Sequence, residues 1–383
     1  MSKVDERATG RVLVLGKGAS GRAAAALAAR GGKAVDFADG YGLVVASPGV
    51  RVMSELEYGC RELKRLGVKM LAVTGSKGKS SVVKLVADAL NLAGLRAVPC
   101  GNYGLPVSEV ASAEADRSET QTPDNPNTQK PLHWAVVEVS SFMLETTNLP
   151  PDTFEAAAIL NLQEDHLDRH GSVEVYHALK RKLLQFAKKG VAGDAGVADA
   201  AALLKGSYFD NDVLRANGAA AVALMRAAGL DDAAVARAFR EFAPLPHRFQ
   251  TVAEAGGVRY VDDSKATSLA ALAAGVSMAG RNVRLIAGGL PKGDDPKSVV
   301  SILTERVKKV YLIGRCAEEF FASWSGAVDC EVCGTMDRAV EAAKRDAEKG
   351  ETVLLSPGTA SFDQFESFGQ RGDVFASLVK KEG

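Results

Sequence analysis

The stretch Met70-Leu71-Ala72-Val73-Thr74-Gly75-Ser76-Lys77-Gly78-Lys79-Ser80-Ser81 decides how this chain is read. An apolar run ending at Val73 enters a glycine-rich turn, and an apolar helical pattern from Val82 to Leu90 leaves it. A strand, a Gly-rich loop and a helix with Gly-Lys-Ser at the junction make the grip that proteins use on nucleoside triphosphates. Backbone N–H groups cradle phosphate oxygens, the lysine neutralises the terminal phosphates, and the serine hydroxyl reaches a magnesium ion. Gly75, Ser76, Lys77, Gly78, Lys79, Ser80 and Ser81 are the candidate triphosphate loop. The usual Walker spacing would put a glycine where Val73 stands, so this is a shortened variant framed by Gly75 and Gly78.

Outward from this loop, strand-like and helix-like segments alternate, which predicts α/β architecture with parallel sheets. Three blocks emerge. The first has a strand at 11–15, a turn Gly16-Lys17-Gly18-Ala19-Ser20-Gly21, a helix to about Arg30, and strands at 33–37 and 43–46, the last ending at Ser47-Pro48-Gly49. The second opens with the phosphate loop and adds strands at 134–139 and 156–160 and a long helix over 173–188. The third opens near His247, with strands at 258–261, 283–287, 310–313 and 352–355. Two prolines in Ala243-Pro244-Leu245-Pro246 mark the boundary between the last two blocks. The polar stretch 112–130 reads as an exposed loop.

A chain of 383 residues is long enough for two or three cores. Its 47 basic and 47 acidic side chains balance, so net charge points to no nucleic-acid or membrane partner. No apolar run is long enough to span a bilayer, and the N-terminus lacks a signal-type apolar core. The five cysteines are scattered, and Cys330 and Cys333 form a lone CxxC, which reads as reduced thiols of an intracellular protein rather than a zinc or redox site. The cytoplasm is the expected location.

Glu138 ends an apolar strand in Val136-Val137-Glu138-Val139, where a P-loop-type domain wants a magnesium ligand. The run Asn161-Leu162-Gln163-Glu164-Asp165-His166-Leu167-Asp168-Arg169-His170 follows the next strand and gathers several ionisable groups at the same sheet edge. His166 there is suited to holding a metal or to moving a proton. Lys180 lies four residues after Tyr176 and four before Leu184, centred on the apolar stripe of its helix. It either snorkels to water or is a buried amine of lowered pKa, able to add carbon dioxide and become an anionic carbamate ligand.

Gly16-x-Gly18-x-x-Gly21 after a strand, with Asp36 about twenty residues on, has the form of the dinucleotide fingerprint. It suits a nicotinamide nucleotide or any other nucleoside diphosphate. In the third block, Asp262-Asp263-Ser264-Lys265-Ala266-Thr267, Gly288-Gly289-Leu290-Pro291-Lys292-Gly293 and Ser356-Pro357-Gly358-Thr359-Ala360-Ser361 each follow a strand. They should open on one sheet edge, where their lysines and hydroxyls suit an anionic small molecule.

Taken together, these motifs resemble those of the Mur ligases of bacterial peptidoglycan synthesis. Thr74-Gly75-Ser76-x-Gly78-Lys79-Ser80, Gly101-Asn102, Glu138-Val139-Ser140-Ser141-Phe142, Asp165-His166-Leu167-Asp168-Arg169 and His247-Arg248-Phe249 are similar to motifs shared across the family. Asp263-Ser264-Lys265-Ala266-Thr267 and the run from Ser356 through Phe368 to Arg371-Gly372 are similar to those of the members that add D-glutamate.

The resemblance implies three domains: a shortened UDP-binding Rossmann-like domain over 1–60, a central P-loop-type ATPase domain with a parallel sheet over 61–245, and a Rossmann-like C-terminal domain over 246–383 that binds the incoming amino acid. It implies ATP, two magnesium sites and a carbamate on Lys180, with UDP-N-acetylmuramoyl-L-alanine and D-glutamate as substrates and a monomeric enzyme. Lys79 would contact the ATP phosphates, with Asn217, Arg248 and Asp263 as further ATP contacts. Ser80 and Glu138 would hold one metal, and His166 and carbamylated Lys180 would serve the second, so Lys79, His166 and Lys180 are the implied catalytic set. Gly18, Ala19, Ser20, Gly21, Asp36, Ser47, Pro48, Gly49 and Asn102 would face the UDP-muramoyl substrate. Thr267, Lys292, Ser361 and Phe368 would form the D-glutamate site. The implied reaction runs through an acyl phosphate. A family member with another amino-acid substrate and a non-catalytic nucleotide-binding homologue are the competing expectations.

Overall fold

Strand and helix alternate throughout the computed structural model, which describes residues 11–38, 52–120, 131–192 and 196–381. The expected strand at 43–46, the Ser47-Pro48-Gly49 turn and residues 121–130 of the polar stretch lie outside the described residues. The chain separates into two compact units, residues 1–210 with 214–242, and residues 211–213 with 243–383. The division after Phe242 falls at the two prolines.

The first unit opens with β1 (Arg11–Leu15), α1 (Ala19–Arg30) and β2 (Ala34–Ala38), the strands paired in parallel. It continues through α2 (Glu55–Arg65), β3 (Lys69–Thr74), α3 (Lys79–Leu92), β4 (Ala97–Gly101), α4 (Val107–Thr120), β5 (Trp134–Glu138) and α5 (Ser141–Thr146). Then come β6 (Ala156–Ile159), α6 (Leu167–His170), α7 (Val173–Lys182), β7 (Gly190–Ala192), α8 (Val197–Leu204), α9 (Arg215–Ala227) and α10 (Asp232–Glu241). Helix α2 runs across position 60.

Strands β3 to β7 form a five-stranded sheet in the order β4-β5-β3-β6-β7, every pair parallel. Strand β3 is central and buried from Met70 onward, as a near-continuous apolar run should be when helices cover both faces. Register puts Val73 beside Glu138, and Glu138 beside Gly101, so the ends of β3, β4 and β5 are level. Strand β6 is built from Ala156, Ala157, Ala158 and Ile159. Its small side chains let the alanine-rich α9 pack closely, with Ala219, Ala220 and Ala221 in the same buried cluster as Ala156 and Ala158.

Two expectations change here. The helix predicted over 173–188 stops at Lys182 and tightens into a 3₁₀ turn, Leu183–Phe186. The tighter turn brings Leu183 and Phe186, three apart, into the core together. By Phe186 the backbone is already pairing as a strand, with Phe154 N donating to Phe186 O at 3.0 Å and Lys188 N to Phe154 O at 2.9 Å. The polar stretch begins later than position 112, because α4 continues to Thr120. Ala111 and Ala115, one turn apart, are buried there. Buried Glu114 anchors the turn by accepting from Arg96 Nη1 and from Leu132 N, both at 3.1 Å.

The second unit holds β8 (Gln250–Ala255), β9 (Val258–Asp262), α11 (Leu269–Ala279), β10 (Val283–Gly288), α12 (Val300–Arg306), β11 (Val307–Ile313), α13 (Ala317–Trp324), β12 (Asp329–Gly334), α14 (Met336–Asp346), β13 (Thr352–Leu355) and α15 (Phe368–Lys380). Its six-stranded sheet has the order β12-β11-β10-β13-β9-β8, parallel except for the edge hairpin β8–β9. Two buried clusters lie on its faces, one including Leu285, Leu312 and Trp324, the other Ile286, Tyr311 and Phe375. The loops after β9, β10 and β13 leave from one edge, as the parallel order requires. Cys330 and Cys333 both lie in β12 as free thiols, their pKa values pushed up to about 11 by burial. Among the described residues no helix is long and apolar enough to cross a membrane.

Candidate functional site

The phosphate loop lies at the carboxyl end of β3. Gly75 has φ of +151° and Gly78 of +84°, conformations that favour glycine. A Cβ on Gly78 would stand 2.1 Å from Asn217 Nδ2, so a side chain there would have to displace the Asn217 amide. Lys79 begins α3, and its ammonium curls back to donate to Gly75 O at 2.8 Å and Ser76 O at 3.2 Å. Ser80 is half-buried beside it.

Asn161, the second residue after β6, clamps the loop. Lys77 N donates to Asn161 Oδ1 and Asn161 Nδ2 donates to Lys77 O, both at 2.8 Å. The same Nδ2 reaches Asn217 Oδ1 at 3.2 Å. The neighbouring Ser76 hydroxyl accepts from Gln163 N at 3.0 Å and lies 3.1 Å from the Tyr176 hydroxyl.

Lys180 is 2 % exposed, as its place on the apolar stripe of α7 predicts. It donates to Gly75 O at 2.9 Å, and its nitrogen sits 4.6 Å from the Tyr176 ring centre. Burial, with the Lys79 charge adding to it, holds its pKa down to about 7, while Asp165 and Glu138 pull the other way. The buried alternative therefore holds over snorkelling.

Glu138 is 2 % exposed. Asn102 Nδ2 donates to its Oε1 at 2.8 Å, but its Oε2 is buried with no hydrogen-bond partner among the described residues. A buried carboxylate oxygen without a hydrogen-bond partner beside a phosphate loop fits a cation. Magnesium takes one or two protein oxygens and completes its shell with water and phosphate. Glu138 and Ser80 fit such an ion.

His166 has φ of +54° at the start of α6 and is exposed. Its Nε2 lies 3.9 Å from Asp165 Oδ2, and its ring centre 5.0 Å from that of Phe142. His170 is the buried imidazole of the pair, with Nε2 3.0 Å from Ser141 Oγ and Nδ1 3.3 Å from Glu145 Oε1.

In the second unit, Phe249 N donates to Asp263 Oδ1 at 3.2 Å and the Ser356 hydroxyl to Asp263 Oδ2 at 2.9 Å. Burial still raises the Asp263 pKa to about 7. Lys265 packs its ammonium 4.0 Å from the Phe368 ring centre, and burial, Arg248 and Lys292 lower its pKa. Arg248, Lys265 and Lys292 thus form a positive cluster. His247 and Phe249, which flank Arg248, both have positive φ, and His247 Nδ1 lies 2.7 Å from Asp262 Oδ2. Ser361 is buried, Thr267 and Phe368 are half-buried and Lys292 is exposed.

The sequence profile of the Mur ligase middle domain matches residues 73–200, and that of the Mur ligase glutamate ligase domain matches residues 247–358. A UDP-N-acetylmuramoylalanine–D-glutamate ligase from Nitratidesulfovibrio vulgaris is 34 % identical over 381 residues, covering 91 % of this chain and 83 % of that one. The chain belongs to the Mur ligase family. A second protein of that printed name, from Acidobacterium capsulatum, is 32 % identical with 96 % of each chain covered. Among solved structures, MurF ligase from Thermotoga maritima in complex with ADP aligns with a TM-score of 0.60 at 16 % identity, covering 96 % of this chain and 93 % of that one. A UDP-N-acetylmuramoyl-L-alanyl-D-glutamate–2,6-diaminopimelate ligase gives 0.59 at 19 %, covering 96 % and 91 %. These two likenesses speak to the multi-domain α/β fold.

In this Mur ligase the loop from Gly75 to Ser81, Glu138, Asn102, Asn217 and Lys180 stand together in the first unit. The dinucleotide-type turn is elsewhere in that unit. Its Gly16 has φ of +89°, and a Cβ on Gly21 would fall 2.0 Å from Gly16 O, so α1 packs tightly on the turn. Gly18, Ala19, Ser20 and Asp36 are exposed around it, while Ser47, Pro48 and Gly49 lie outside the described residues.

The sequence places Asn161 in the run after β6 and Arg371 in the motif shared with the D-glutamate-adding members, but gives neither a partner. Asn161 carried the same signal as Glu138, a polar residue just past an apolar strand. Tyr176 lies on the apolar stripe of α7, and the stripe gives no sign that its hydroxyl reaches Ser76.

Proposed function

We propose that this Mur ligase is an ATP-dependent enzyme that joins D-glutamate to UDP-N-acetylmuramoyl-L-alanine in cytoplasmic peptidoglycan precursor synthesis. The observation that carries the reading is the set around Gly75, with Lys79 and buried Lys180 sharing one carbonyl and Glu138 offering an oxygen that has no hydrogen-bond partner among the described residues. The similarity to D-glutamate-adding relatives supports the choice of amino acid.

Lys79 and the loop N–H groups neutralise charge on the β- and γ-phosphates as the L-alanine carboxylate attacks the γ-phosphorus. Magnesium, held through Ser80 and Glu138, supplies further charge neutralisation on the phosphate oxygens when bound. The product is an acyl phosphate and ADP. The D-glutamate amine then adds to the acyl carbon, and the tetrahedral intermediate expels phosphate and loses a proton to leave an amide. Asn161 holds Lys77 in register, and Asn217 orients the nucleotide.

Lys180 acts as a carbamate. The ammonium gives up one proton, and the neutral amine adds carbon dioxide and releases a second, so a cation crowded by Lys79 becomes an anion attracted to it. With His166, that carbamate would hold a second metal ion, which would add to the charge neutralisation on the phosphates. In the second unit Thr267, Lys292, Ser361 and Phe368 take the dicarboxylate amino acid, and the cluster of Arg248, Lys265 and Lys292 favours its charge. Gly18 to Gly21, Asp36 and the Ser47-Pro48-Gly49 turn hold the UDP end, and Asn102 the muramoyl end.

The test is phosphate release from ATP with UDP-N-acetylmuramoyl-L-alanine and a panel of amino acids. D-glutamate should drive turnover and L-glutamate should not. Turnover with another amino acid alone would replace the substrate assignment, and none with any would leave a non-catalytic homologue. Lys79→Ala should lower turnover by about 10²-fold or more while the fold survives.

A further inference from the structure

Arg371, in the first turn of α15, is fully buried, and no carboxylate among the described residues hydrogen-bonds to it. Four of its five N–H donors are directed at loop atoms. Nε donates to Ser264 Oγ at 3.0 Å, Nη2 to Ser264 O at 2.9 Å and Thr359 O at 3.2 Å, and Nη1 to Ala360 O at 3.3 Å. Ser264 belongs to the loop after β9 that carries Thr267. Thr359 and Ala360 belong to the loop after β13 that carries Ser361. The loop after β10, which carries Lys292, is tied to the same point. Leu290 N donates to Ala360 O at 2.9 Å and Ala360 N to Leu290 O at 3.2 Å. Ser264 Oγ in turn donates to Phe368 O at 2.8 Å. A Cβ on Gly289 would meet Ala360 O at 2.4 Å and Arg371 Nη1 at 3.2 Å, so the three loops are packed to contact around the guanidinium.

We propose that Arg371 is the positioning residue of the amino-acid site, a planar strut that sets the spacing of the loops carrying Thr267, Lys292 and Ser361 against Phe368 at the start of its own helix. A buried charge is retained at a desolvation cost, and here it yields no ion pair. What it gives is four directed bonds from one rigid plane, which fix three carbonyls and a hydroxyl relative to one another. Asp363 and Asp262 act on it only through space, and the pKa, lowered to about 10 by burial, leaves it charged at neutral pH. Lysine keeps the charge but cannot reach all four acceptors, so geometry and charge separate in one substitution. This inference rests on the proposed amino-acid site.

The test is steady-state turnover of the full chain as wild type, Arg371→Lys and Ser264→Ala, using whichever amino acid of the panel the wild type consumes. Misplacing loop groups should raise KM for that amino acid about ten-fold or more in Arg371→Lys, with KM for ATP within about two-fold and kcat largely recovered at saturation. Ser264→Ala removes one acceptor and should move the same KM in the same direction by a smaller factor. It decides the matter if Arg371→Lys fails to fold. Unchanged KM in the folded variants, or a lower active fraction and melting temperature with every KM unchanged, would overturn the proposal. Wild-type preference for an amino acid other than D-glutamate would instead overturn the substrate assignment, leaving the strut to be judged on that acceptor.

Discussion

Lys180 Nζ and Lys79 Nζ donate to the same oxygen, the carbonyl of Gly75, at 2.9 and 2.8 Å. Two ammonium groups on one acceptor are mutually repulsive, and in a buried setting the repulsion is poorly screened. The pair is tolerable because Lys180 gives up its proton easily. Carbamylation would relieve the repulsion, and this relation ties the phosphate loop to α7.

Lys180→Ala removes both the amine and its carbamate. Activity should fall by about 10²-fold or more, and short carboxylic acids such as formate or acetate should restore part of it by occupying the vacated volume with an anion. The check is turnover with and without added carboxylate. Wild-type activity in the variant would remove Lys180 from the mechanism.

The lowered pKa gives this step a pH sense. Lys180 has a folded value of about 7 against an ordinary 10.5, so its neutral fraction rises as pH rises through 7. Carbamate occupancy at constant dissolved carbon dioxide should rise over the same range. A ¹³C carbamate signal from labelled bicarbonate should grow from pH 6 to 8 and be absent in Lys180→Ala.

Gly78→Ala tests the loop geometry. At φ of +84° an alanine costs about 1–2 kcal/mol, and its methyl would collide with Asn217 Nδ2. Asn217 cannot swing away without losing its bond from Asn161. KM for ATP should rise about ten-fold with KM for the amino acid unchanged, measured by the same phosphate-release assay.

Much of this site was legible in the sequence because its chemistry is local. Gly75 to Ser81 is a contiguous loop, Glu138 ends its own strand, and Lys180 stands out against the stripe of its own helix. The clamps were not legible, because their partners are distant in sequence. Asn161 holds Lys77 from 84 residues away, and Arg371 holds Ser264 from 107 away. Nothing in a linear pattern pairs them. The parallel strands at 134–138, 156–159, 258–262, 283–288 and 352–355 were readable as buried apolar runs. The edge strands β8 and β12 were not, because half-exposed segments such as Gln250–Ala255 lack such a run. The end of α7 was missed because the apolar stripe continues through Leu184 while the backbone tightens.

Asn161→Ala should leave Lys77 N and O without their side-chain partners and free Asn217. KM for ATP should rise about three- to ten-fold, with the amino-acid KM unmoved. Equal rises in both would mean that the substitution disturbs the whole unit.

The central claim is that ATP is spent on activating a carboxylate. The direct measurement uses UDP-N-acetylmuramoyl-L-alanine labelled with ¹⁸O in the L-alanine carboxylate, turned over with ATP and D-glutamate, followed by mass spectrometry of the released phosphate. An acyl phosphate transfers one labelled oxygen to each phosphate, and that is the predicted result. Unlabelled phosphate alongside amide product would contradict the account.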